Sequence, residues 1–268
     1  MIIDFHTHIF PDTLAPRAIS VLCEKSGLVP AHNGTAQGLT GIMAEHGVDM
    51  AVALSIATKP TQEHSVNSFA ISLLDNPKII PFGSVFPGSE TYLYELERLK
   101  EAGVKGIKLH PEYQDFYIDC DNALKIYEKC ADLGLIVHFH SGEDEAYAPP
   151  AHATPERVNR ICELCPNTKF VAAHFGGYNM WEQFAEILDA HQNLWLDTSM
   201  TRTANLINDD TARKLISNMG TDHILFGSDS PWEKQCDSIR GIKGLGLSEE
   251  ETDKIFSGNA IKLLGLQI

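Results

Sequence analysis

Short runs of apolar and β-branched residues alternate along the chain with longer amphipathic stretches. Eight of these runs fit strands, and each is followed by a polar loop and then by a pattern of helical period. The predicted strands are residues 2–6, 50–56, 79–85, 106–110, 135–140, 169–174, 193–198 and 223–227. Two of the predicted helices are residues 92–102 and 123–133. Strands that alternate with helices in this way indicate a parallel sheet.

Eight strand–helix units in 268 residues match the size of one (β/α)8 barrel, the TIM barrel of the α/β class. An open doubly wound sheet usually has fewer strands and a glycine-rich first turn, and no GxGxxG follows residues 2–6. We therefore predict one barrel domain over residues 1–268. Residues 9–41 are predicted as a long loop after the first strand, because Pro11, Pro16 and Pro30 interrupt them. We expect this loop to lie over the barrel mouth.

Composition and charge disfavour several classes of function. The chain has 36 acidic and 21 basic side chains, and its formal net charge of −15 repels nucleic-acid phosphates and anionic membranes. No signal-like segment precedes the first strand, and no apolar run approaches the roughly 20 residues of a membrane helix. Its six cysteines are scattered, which is typical of reduced thiols. We therefore expect a cytoplasmic protein that binds a small molecule. Whether the protein forms a homo-oligomer stays open.

Histidines and one aspartate gather at the ends of predicted strands. His6 and His8 are two residues apart at the end of the first strand, so both side chains point the same way and can bind one ion. Twelve histidines in 268 residues produce about half such a pair by chance, so position has to support the motif. Five of the eight strand ends carry these groups, namely His6 and His8, His110, His138 and His140, His174, and Asp229. Because the C-terminal strand ends of a barrel meet at one pocket, this pattern predicts a metal-dependent enzyme.

Six short motifs give the chain a resemblance to a known family. They are, in chain order, IDFHTH, GIKLHP, VHFHSG, AAHFGG, LFGSDSPW and GNAIKLLGL. In this order they resemble the amidohydrolase-related metal-dependent hydrolases (amidohydrolase family 2), of the group related to aminocarboxymuconate-semialdehyde decarboxylase. The resemblance spans nearly the whole chain and implies a TIM barrel with a metal-dependent active site.

The resemblance also implies roles for particular residues. His6, His8, one histidine of the fifth strand and Asp229 correspond to ligands of a divalent metal ion. Zn²⁺ suits such nitrogen and carboxylate ligands best; one ion is expected and a second stays open. Asp229 and His174 correspond to catalytic residues. Apart from the resemblance, Asp4 and Asp197 are candidates for orienting ligands, or equally for strand-end packing or capping.

The fifth strand offers two histidines on the same face, His138 and His140. In the family pattern the ligand directly precedes a small residue and a glycine, which here are Ser141 and Gly142. We therefore choose His140 as the metal ligand. His138 is assigned to the packed layer below it.

Three further residues are predicted to bind the substrate. Lys108 and His110 share a face of the fourth strand. A buried lysine is unfavourable unless it is paired, so we favour a functional role for Lys108, such as binding a substrate carboxylate. Relatives in the wider superfamily carry a carbamylated lysine on this strand, and carbamylation of Lys108 stays open. His110 lies nearer the rim, and Arg202, after the seventh strand, is a candidate for binding a carboxylate.

Two reactions fit this set of residues. The main hypothesis is hydrolysis of an amide, lactone or ester bond in a small, carboxylated substrate. Zn²⁺ lowers the pKa of bound water to about 7, with Asp229 as base and His174 as a polarising or acidic group. The alternative is the non-oxidative decarboxylation of an unsaturated or aromatic acid. A TatD-like nuclease is disfavoured by the charge, and a non-catalytic metal-binding barrel is kept as a different class.

Overall fold

The computed structural model describes residues 1–201 and 207–267, and strands alternate with helices throughout this part of the chain. The strands are β1 (Ile3–Thr7), β2 (Met50–Leu54), β3 (Ile79–Phe82), β4 (Gly106–Leu109), β5 (Ile136–Phe139), β6 (Lys169–Ala172), β7 (Leu194–Asp197) and β8 (Ile224–Leu225). The α-helices are α1 (Ala15–Ser26), α2 (Ala36–His46), α3 (Glu63–Ser72), α4 (Tyr92–Ala102), α5 (Asp121–Leu133), α6 (Pro155–Leu164), α7 (Trp181–Ile187), α8 (Asp209–Met219), α9 (Gln235–Lys243), α10 (Glu249–Asp253) and α11 (Asn259–Leu264). The eight predicted strands are therefore confirmed.

The strands are all parallel and form two sheets, which hydrogen bonds link at both seams. They pair in chain order as two sheets, β1 to β3 and β4 to β8. At the seam between β3 and β4 the backbone N–H of Lys108 donates to the carbonyl oxygen of Gly83 at 2.8 Å. At the other seam the N–H of Phe5 donates to the carbonyl oxygen of Phe226 at 2.7 Å. Isolated parallel bridges lie at the same two seams. The predicted (β/α)8 TIM barrel is confirmed.

Five of the described α-helices, α1, α2, α4, α5 and α11, end at a glycine with a left-handed backbone. α4 and α5 stop at Gly103 and Gly134, whose φ angles are 97° and 65°. The N–H groups of these glycines satisfy carbonyl oxygens of the last helical turn. The predicted helices at 92–102 and 123–133 accordingly end at the same residues as α4 and α5.

Side-chain alternation along the strands separates two apolar layers. Inside the barrel, Phe5, Val52 and Ile136 pack with Leu263 of α11. Outside, residues such as Ile107 pack against the surrounding helices. The apolar filling of the barrel reaches only part of its height, and the next inward layer is polar.

That polar layer contains Lys108 of β4, His138 of β5 and Asp197 of β7, none of which is more than 1% exposed. Burying such groups is unfavourable unless they are hydrogen-bonded to one another. The layer therefore marks where the packed core gives way to the site above it.

The segment after β1 differs from the long loop that was predicted. Twelve of its residues form α1. Pro16 lies in the first turn of α1. Backbone N–H groups in the first turn have no acceptor within the helix, so proline loses no hydrogen bond there, and its fixed φ angle suits the helix. A proline that indicated a loop thus stands at the start of a helix. Phe10, Leu14 and Leu22 of this segment nevertheless line the cavity at the barrel mouth, the position expected for it.

The longest described helix, α5, has 13 residues, whereas about 20 are needed to cross a bilayer. Within residues 1–201 and 207–267, no helix combines the length and apolar character of a membrane span.

Candidate active site and metal centre

A cavity of about 600 Å³ opens at the C-terminal ends of the strands. Seven residues predicted from the sequence line it, namely His6, His8, Lys108, His110, His140, His174 and Asp229. Its other walls are largely apolar and include Phe10, Leu22 of α1, Phe69 of α3 and Trp232. A cavity of this size with a few convergent polar groups is typical of a small-molecule site.

Three ligand-type atoms meet at the floor of this cavity. His6 Nε2 lies 3.1 Å from His8 Nε2 and 3.2 Å from Asp229 Oδ1. His8 Nε2 lies 3.1 Å from the same carboxylate oxygen. The seam between β1 and β8 brings these residues together, because the N–H of Asp229 donates to the carbonyl oxygen of His6 at 2.8 Å. We call His6, His8 and Asp229 the floor group.

Hydrogen bonds on the far sides of the two rings fix their tautomers. His8 Nδ1 lies 3.0 Å from the carbonyl oxygen of Leu54, which can only accept, so Nδ1 carries the proton. His6 Nδ1 lies 2.9 Å from Asp197 Oδ2 and donates to it. Burial, together with the nearby positive charge of Lys108, holds the pKa of His6 well below its usual value, so the ring is neutral. Both Nε2 atoms therefore present lone pairs to the centre of the floor group.

This arrangement fits a divalent cation. Two imidazole lone pairs face Asp229 Oδ1, which is buried and has no hydrogen-bond partner among the described residues. Without a positive charge between them, three such acceptor atoms repel one another. Ligand distances of about 2.0–2.2 Å to a metal ion place neighbouring ligand atoms roughly 3 Å apart, close to the separations seen here. The floor group could thus hold a metal ion with the two Nε2 atoms and the carboxylate as ligands.

A second set of ligand-type side chains, His110, His140 and Asp144, lies nearer the rim. We call it the rim group. His110 Nε2 lies 3.4 Å from Asp144 Oδ2, and His140 Nε2 lies 3.0 Å from a backbone carbonyl oxygen, so both Nε2 atoms are donors. The two Nδ1 atoms lie near the N–H of Tyr113 and Nε2 of His174, at 3.4 and 3.0 Å. Hydrogen bonds alone account for the rim group.

His174 joins the two groups without being a member of either. Its Nε2 lies 3.0 Å from His140 Nδ1, and Ser199 Oγ lies 2.9 Å from Nδ1 of both His174 and His6. Because Nε2 of His140 donates to a carbonyl, its Nδ1 accepts, and His174 must carry its proton on Nε2. Burial holds the pKa of His174 well below its usual value. Asp197 also lies within ligand distance of His6 and His174, but hydrogen bonds explain this contact.

The polar layer beneath the floor is a chain of hydrogen bonds. Lys108 Nζ donates to His138 Nδ1 at 3.0 Å, and His138 Nε2 donates to Asp197 Oδ2 at 2.7 Å. The same Oδ2 atom accepts from His6. Burial alone raises the pKa of Asp197, but the hydrogen bonds from the imidazoles of His6 and His138 hold it well below its usual value. This carboxylate therefore fixes the orientation of His6.

Lys108 extends from this layer into the cavity. Burial lowers its pKa to about 8, against the opposing effects of Asp197 and Asp229. An ammonium group has three N–H donors, and the contact with His138 uses one of them. Lys108 is thus placed to donate to a bound carboxylate.

The predicted site residues are distributed as follows. The structure brings His6, His8 and Asp229 together and places Lys108, His110 and His174 around the same cavity. It does not bring His140 into the floor group, and its role as a ligand stays a prediction. Arg202 lies outside the described residues.

Sequence reasoning missed two contributors. Asp144 is not among the residues predicted from the sequence, although its position just after β5 could have indicated the cavity. Ser199 bridges His6 and His174, and no motif of the sequence indicated it.

Two predicted catalytic residues have unusual backbone angles. His174 and Asp229 have φ angles of 61° and 69°, a left-handed conformation that non-glycine residues seldom adopt. Such conformations persist where the surrounding structure imposes them, and they concentrate at functional sites.

The sequence profile of a family described as Amidohydrolase matches residues 3–266. The chain belongs to the amidohydrolase family. The resemblance inferred from the six motifs is therefore confirmed, and the chain is an enzyme of the amidohydrolase superfamily. No curated protein sequence matches it.

Solved structures with the same fold include decarboxylases and a hydrolase. The 5-carboxyvanillate decarboxylase LigW from Sphingomonas paucimobilis is 15% identical, with 99% of each chain covered and a TM-score of 0.74. A dihydroxybenzoic acid decarboxylase from Polaromonas sp., with bound manganese and 2-nitroresorcinol, is 18% identical over 99% of this chain and 97% of that one, with a TM-score of 0.71. A probable 2-pyrone-4,6-dicarboxylic acid hydrolase from Acinetobacter baumannii is 18% identical over 99% of each chain, with a TM-score of 0.70. At these identities the likeness shows the fold.

Proposed function

We propose that this enzyme is a metal-dependent, non-oxidative decarboxylase of a small unsaturated or aromatic carboxylic acid, and that the floor group holds the metal. The solved relatives support this reaction better than the hydrolysis that the sequence favoured first, because LigW and the Polaromonas enzyme are both named as decarboxylases. Their low identity carries no residue assignments to this chain. The roles below therefore rest on its own geometry.

The observation that carries the proposal is the contrast between the walls and the floor of the cavity. Leu22, Phe69 and Trp232 form apolar walls that suit a flat, unsaturated carbon skeleton. Lys108 and the floor group below them suit a carboxylate. A substrate bound in this way has its carboxylate at the polar floor and its carbon skeleton between the apolar walls.

Decarboxylation replaces a carboxylate by a proton: the carbon–carbon bond breaks, carbon dioxide leaves, and the electron pair that stays on carbon takes up H⁺. The site must therefore hold the carboxylate and supply one proton. A bound divalent ion supplies positive charge that stabilises negative charge on substrate oxygens. We assign the proton to Asp229, on the carboxyl oxygen Oδ2, which regains it from solvent in the cavity. To the neutral ring of His174 we assign a hydrogen bond from its Nε2–H group to the substrate. Lys108 orients the carboxylate by donating to it.

Zn²⁺ remains the metal that we propose, because two imidazole nitrogens and one carboxylate suit it. Manganese in the Polaromonas structure makes Mn²⁺ the alternative to test. Binding of a substrate carboxylate by Arg202, a second ion, a homo-oligomer and a cytoplasmic location stay predictions.

The test uses metal-free protein reloaded with Zn²⁺ or Mn²⁺ and a panel of carboxyl-labelled ¹³C acids, both hydroxybenzoic and unsaturated. We expect labelled carbon dioxide to form only with metal and to stop when a chelator is added. Opening of lactones or esters without release of carbon dioxide would contradict the proposal. That outcome would support hydrolysis, the second candidate, which the Acinetobacter hydrolase on the same fold favours. Metal binding without any turnover above that of the free ion would indicate a non-catalytic barrel.

A further inference from the structure

A second, smaller cavity of about 180 Å³ lies at the rim beside the main one. The two cavities share Asp144, Glu145 and Tyr178 as lining residues. Four carboxylates line the smaller cavity, namely Glu112, Glu143, Asp144 and Glu145. No lysine or arginine lies among its lining residues in the described part of the chain. We call it the acidic pocket.

Glu112 is the most informative residue of the acidic pocket. It is only 6% exposed, and its Oε1 accepts the backbone N–H of His152 at 2.9 Å. Its Oε2 is buried and has no hydrogen-bond partner among the described residues. His110 Nδ1 lies 3.7 Å away, beyond hydrogen-bond distance, and accepts the N–H of Tyr113 at 3.4 Å. A buried carboxylate oxygen without a donor is unfavourable, so a bound group that donates to it would be stabilised there.

The other three carboxylates are held by neutral donors. Glu143 accepts from Asn179 Nδ2 at 2.6 Å, and Asp144 accepts from a backbone N–H at 2.8 Å. Glu145 accepts from the hydroxyl of Tyr178 at 2.8 Å. These contacts orient the carboxylates without neutralising them. Burial and the charges of Asp144 and Glu112 accordingly raise the pKa of Tyr147, on the wall of the pocket.

The geometry favours an organic cation over a metal ion. Within the described residues, no set of three carboxylates from this pocket comes close enough to share one ion. An ammonium group carried on a carbon skeleton can donate to separated carboxylates. Tyr147 and Tyr178 add aromatic rings, which attract such cations through their faces.

We propose that the acidic pocket binds a primary ammonium group of the substrate. This inference rests on the proposed function and narrows it: the substrate is an amino-substituted carboxylic acid, with its carboxylate at Lys108 and its ammonium group beyond Asp144 at Glu112. Asp144, Glu145 and Tyr178 line both cavities, so the acidic pocket lies directly beside the main one. Opposite charges at the two ends of such a substrate then fix which way round it binds.

Binding of three probes to the metal-loaded enzyme tests this inference by calorimetry. The probes are 4-(aminomethyl)benzoate, 4-methylbenzoate, which lacks the ammonium group, and benzylamine, which lacks the carboxylate. Glu112→Gln removes the charge and keeps the shape, and Glu186→Gln, on the exposed surface of α7, is the matched control. We expect the wild type and Glu186→Gln to bind the aminomethyl probe about tenfold more tightly than 4-methylbenzoate, the effect of one charged hydrogen bond. In Glu112→Gln this preference should fall to about twofold or less, with unchanged binding of 4-methylbenzoate.

Several outcomes would overturn the inference. Equal binding of the two benzoates by the wild type, or a preference that persists in Glu112→Gln, would show that the pocket does not recognise ammonium. Benzylamine binding as tightly as 4-(aminomethyl)benzoate would indicate a site for a free amine instead of a substrate group. Competition by millimolar Ca²⁺ would indicate an inorganic cation. Should Glu112→Gln fail to fold, Glu145→Gln on the exposed side of the pocket must reduce the same preference.

The binding assay does not depend on turnover, so the two proposals can fail separately. If the enzyme prefers the ammonium probe but releases no carbon dioxide from any acid of the panel, the ammonium subsite is supported and the decarboxylase activity is ruled out. Release of carbon dioxide by an enzyme that shows no preference for the ammonium probe would support the decarboxylase and rule out the ammonium subsite.

Discussion

The floor group and the rim group each consist of two histidines and one aspartate, yet their protons are placed differently. In the floor group, Asp197 and the carbonyl oxygen of Leu54 take the Nδ1 protons, so both Nε2 lone pairs turn towards Asp229. In the rim group, the Nε2 protons lie between the rings and their acceptors. The first arrangement needs a cation, and the second is complete without one.

Proximity of histidine and aspartate side chains does not by itself define a metal site. The partners on the far side of each ring decide which nitrogen is free to bind a metal. Asp197 is such a partner for His6, and it lies on β7, far from His6 in the sequence. We therefore assign the metal to the floor group and a hydrogen-bonding role to the rim group.

The largest effect is expected from Asp229→Asn, which keeps the shape of the floor group but removes its charge and its proton carrier. Turnover should fall about 10²- to 10⁴-fold, as for lost acid–base catalysis, and metal binding should weaken. Asp144→Asn, the same change in the rim group, should keep the metal and most of the activity. Initial rates and metal content of both variants check this, and similar losses in the two would remove the distinction between the groups.

His174→Ala sharpens the comparison, because His174 lies between the groups. We expect turnover to fall about 10²-fold while the metal stays bound, since the ring donates a hydrogen bond to the substrate and is not a ligand. The assay uses metal-loaded protein and any acid that the wild type accepts. Unimpaired turnover would refute the catalytic role, and metal loss as severe as in His6→Ala would make His174 a ligand.

His140 is the residue on which the resemblance and the geometry differ. If it is a ligand, as the family pattern implies, His140→Ala should weaken metal binding more than His138→Ala. His138 orients Asp197, and loss of such an indirect contact reduces metal affinity about 10- to 100-fold. Competition with a fluorescent chelator measures both affinities. Equal losses would contradict the choice of His140.

The smallest effect is expected from Lys108→Gln. Loss of the ammonium donor should raise KM about tenfold with a smaller change in kcat, because the contact holds the carboxylate before and during the reaction. Burial lowers the pKa of Lys108 to about 8, so the charged form is present below this pH and is lost above it. The kcat/KM of the wild type should therefore decline as the pH rises through about 8, and this decline should be absent in Lys108→Gln. A decline that persists in the variant would assign it to another group.

The barrel was predictable because its signal is local. Apolar runs of strand length recur between amphipathic helices, and glycines such as Gly103 and Gly134 mark the helix ends. The convergence of His6, His8 and Asp229 followed from the rule that strand ends meet at one pocket. α1 was missed because Pro16 is compatible with a loop and with a first helical turn.

The proton positions were not predictable, because they depend on contacts between distant parts of the chain. Which nitrogen of His140 is free depends on a backbone carbonyl and on His174, 34 residues away. Ser199 and Asp144 belong to residue types that are common on surfaces. Only the folded barrel brings them to the site.

The metal content of variants tests most directly whether the floor group, and not the rim group, holds the metal. Wild type, His6→Ala/His8→Ala and the matched rim variant His110→Gln/Asp144→Asn should be purified, reloaded with Zn²⁺ and analysed for bound metal by mass spectrometry, with circular dichroism as a control for folding. We expect a metal ion in the wild type and in the rim variant, and none in the floor variant although its barrel is intact. Undiminished metal in the floor variant, or metal loss in the rim variant instead, would contradict this assignment.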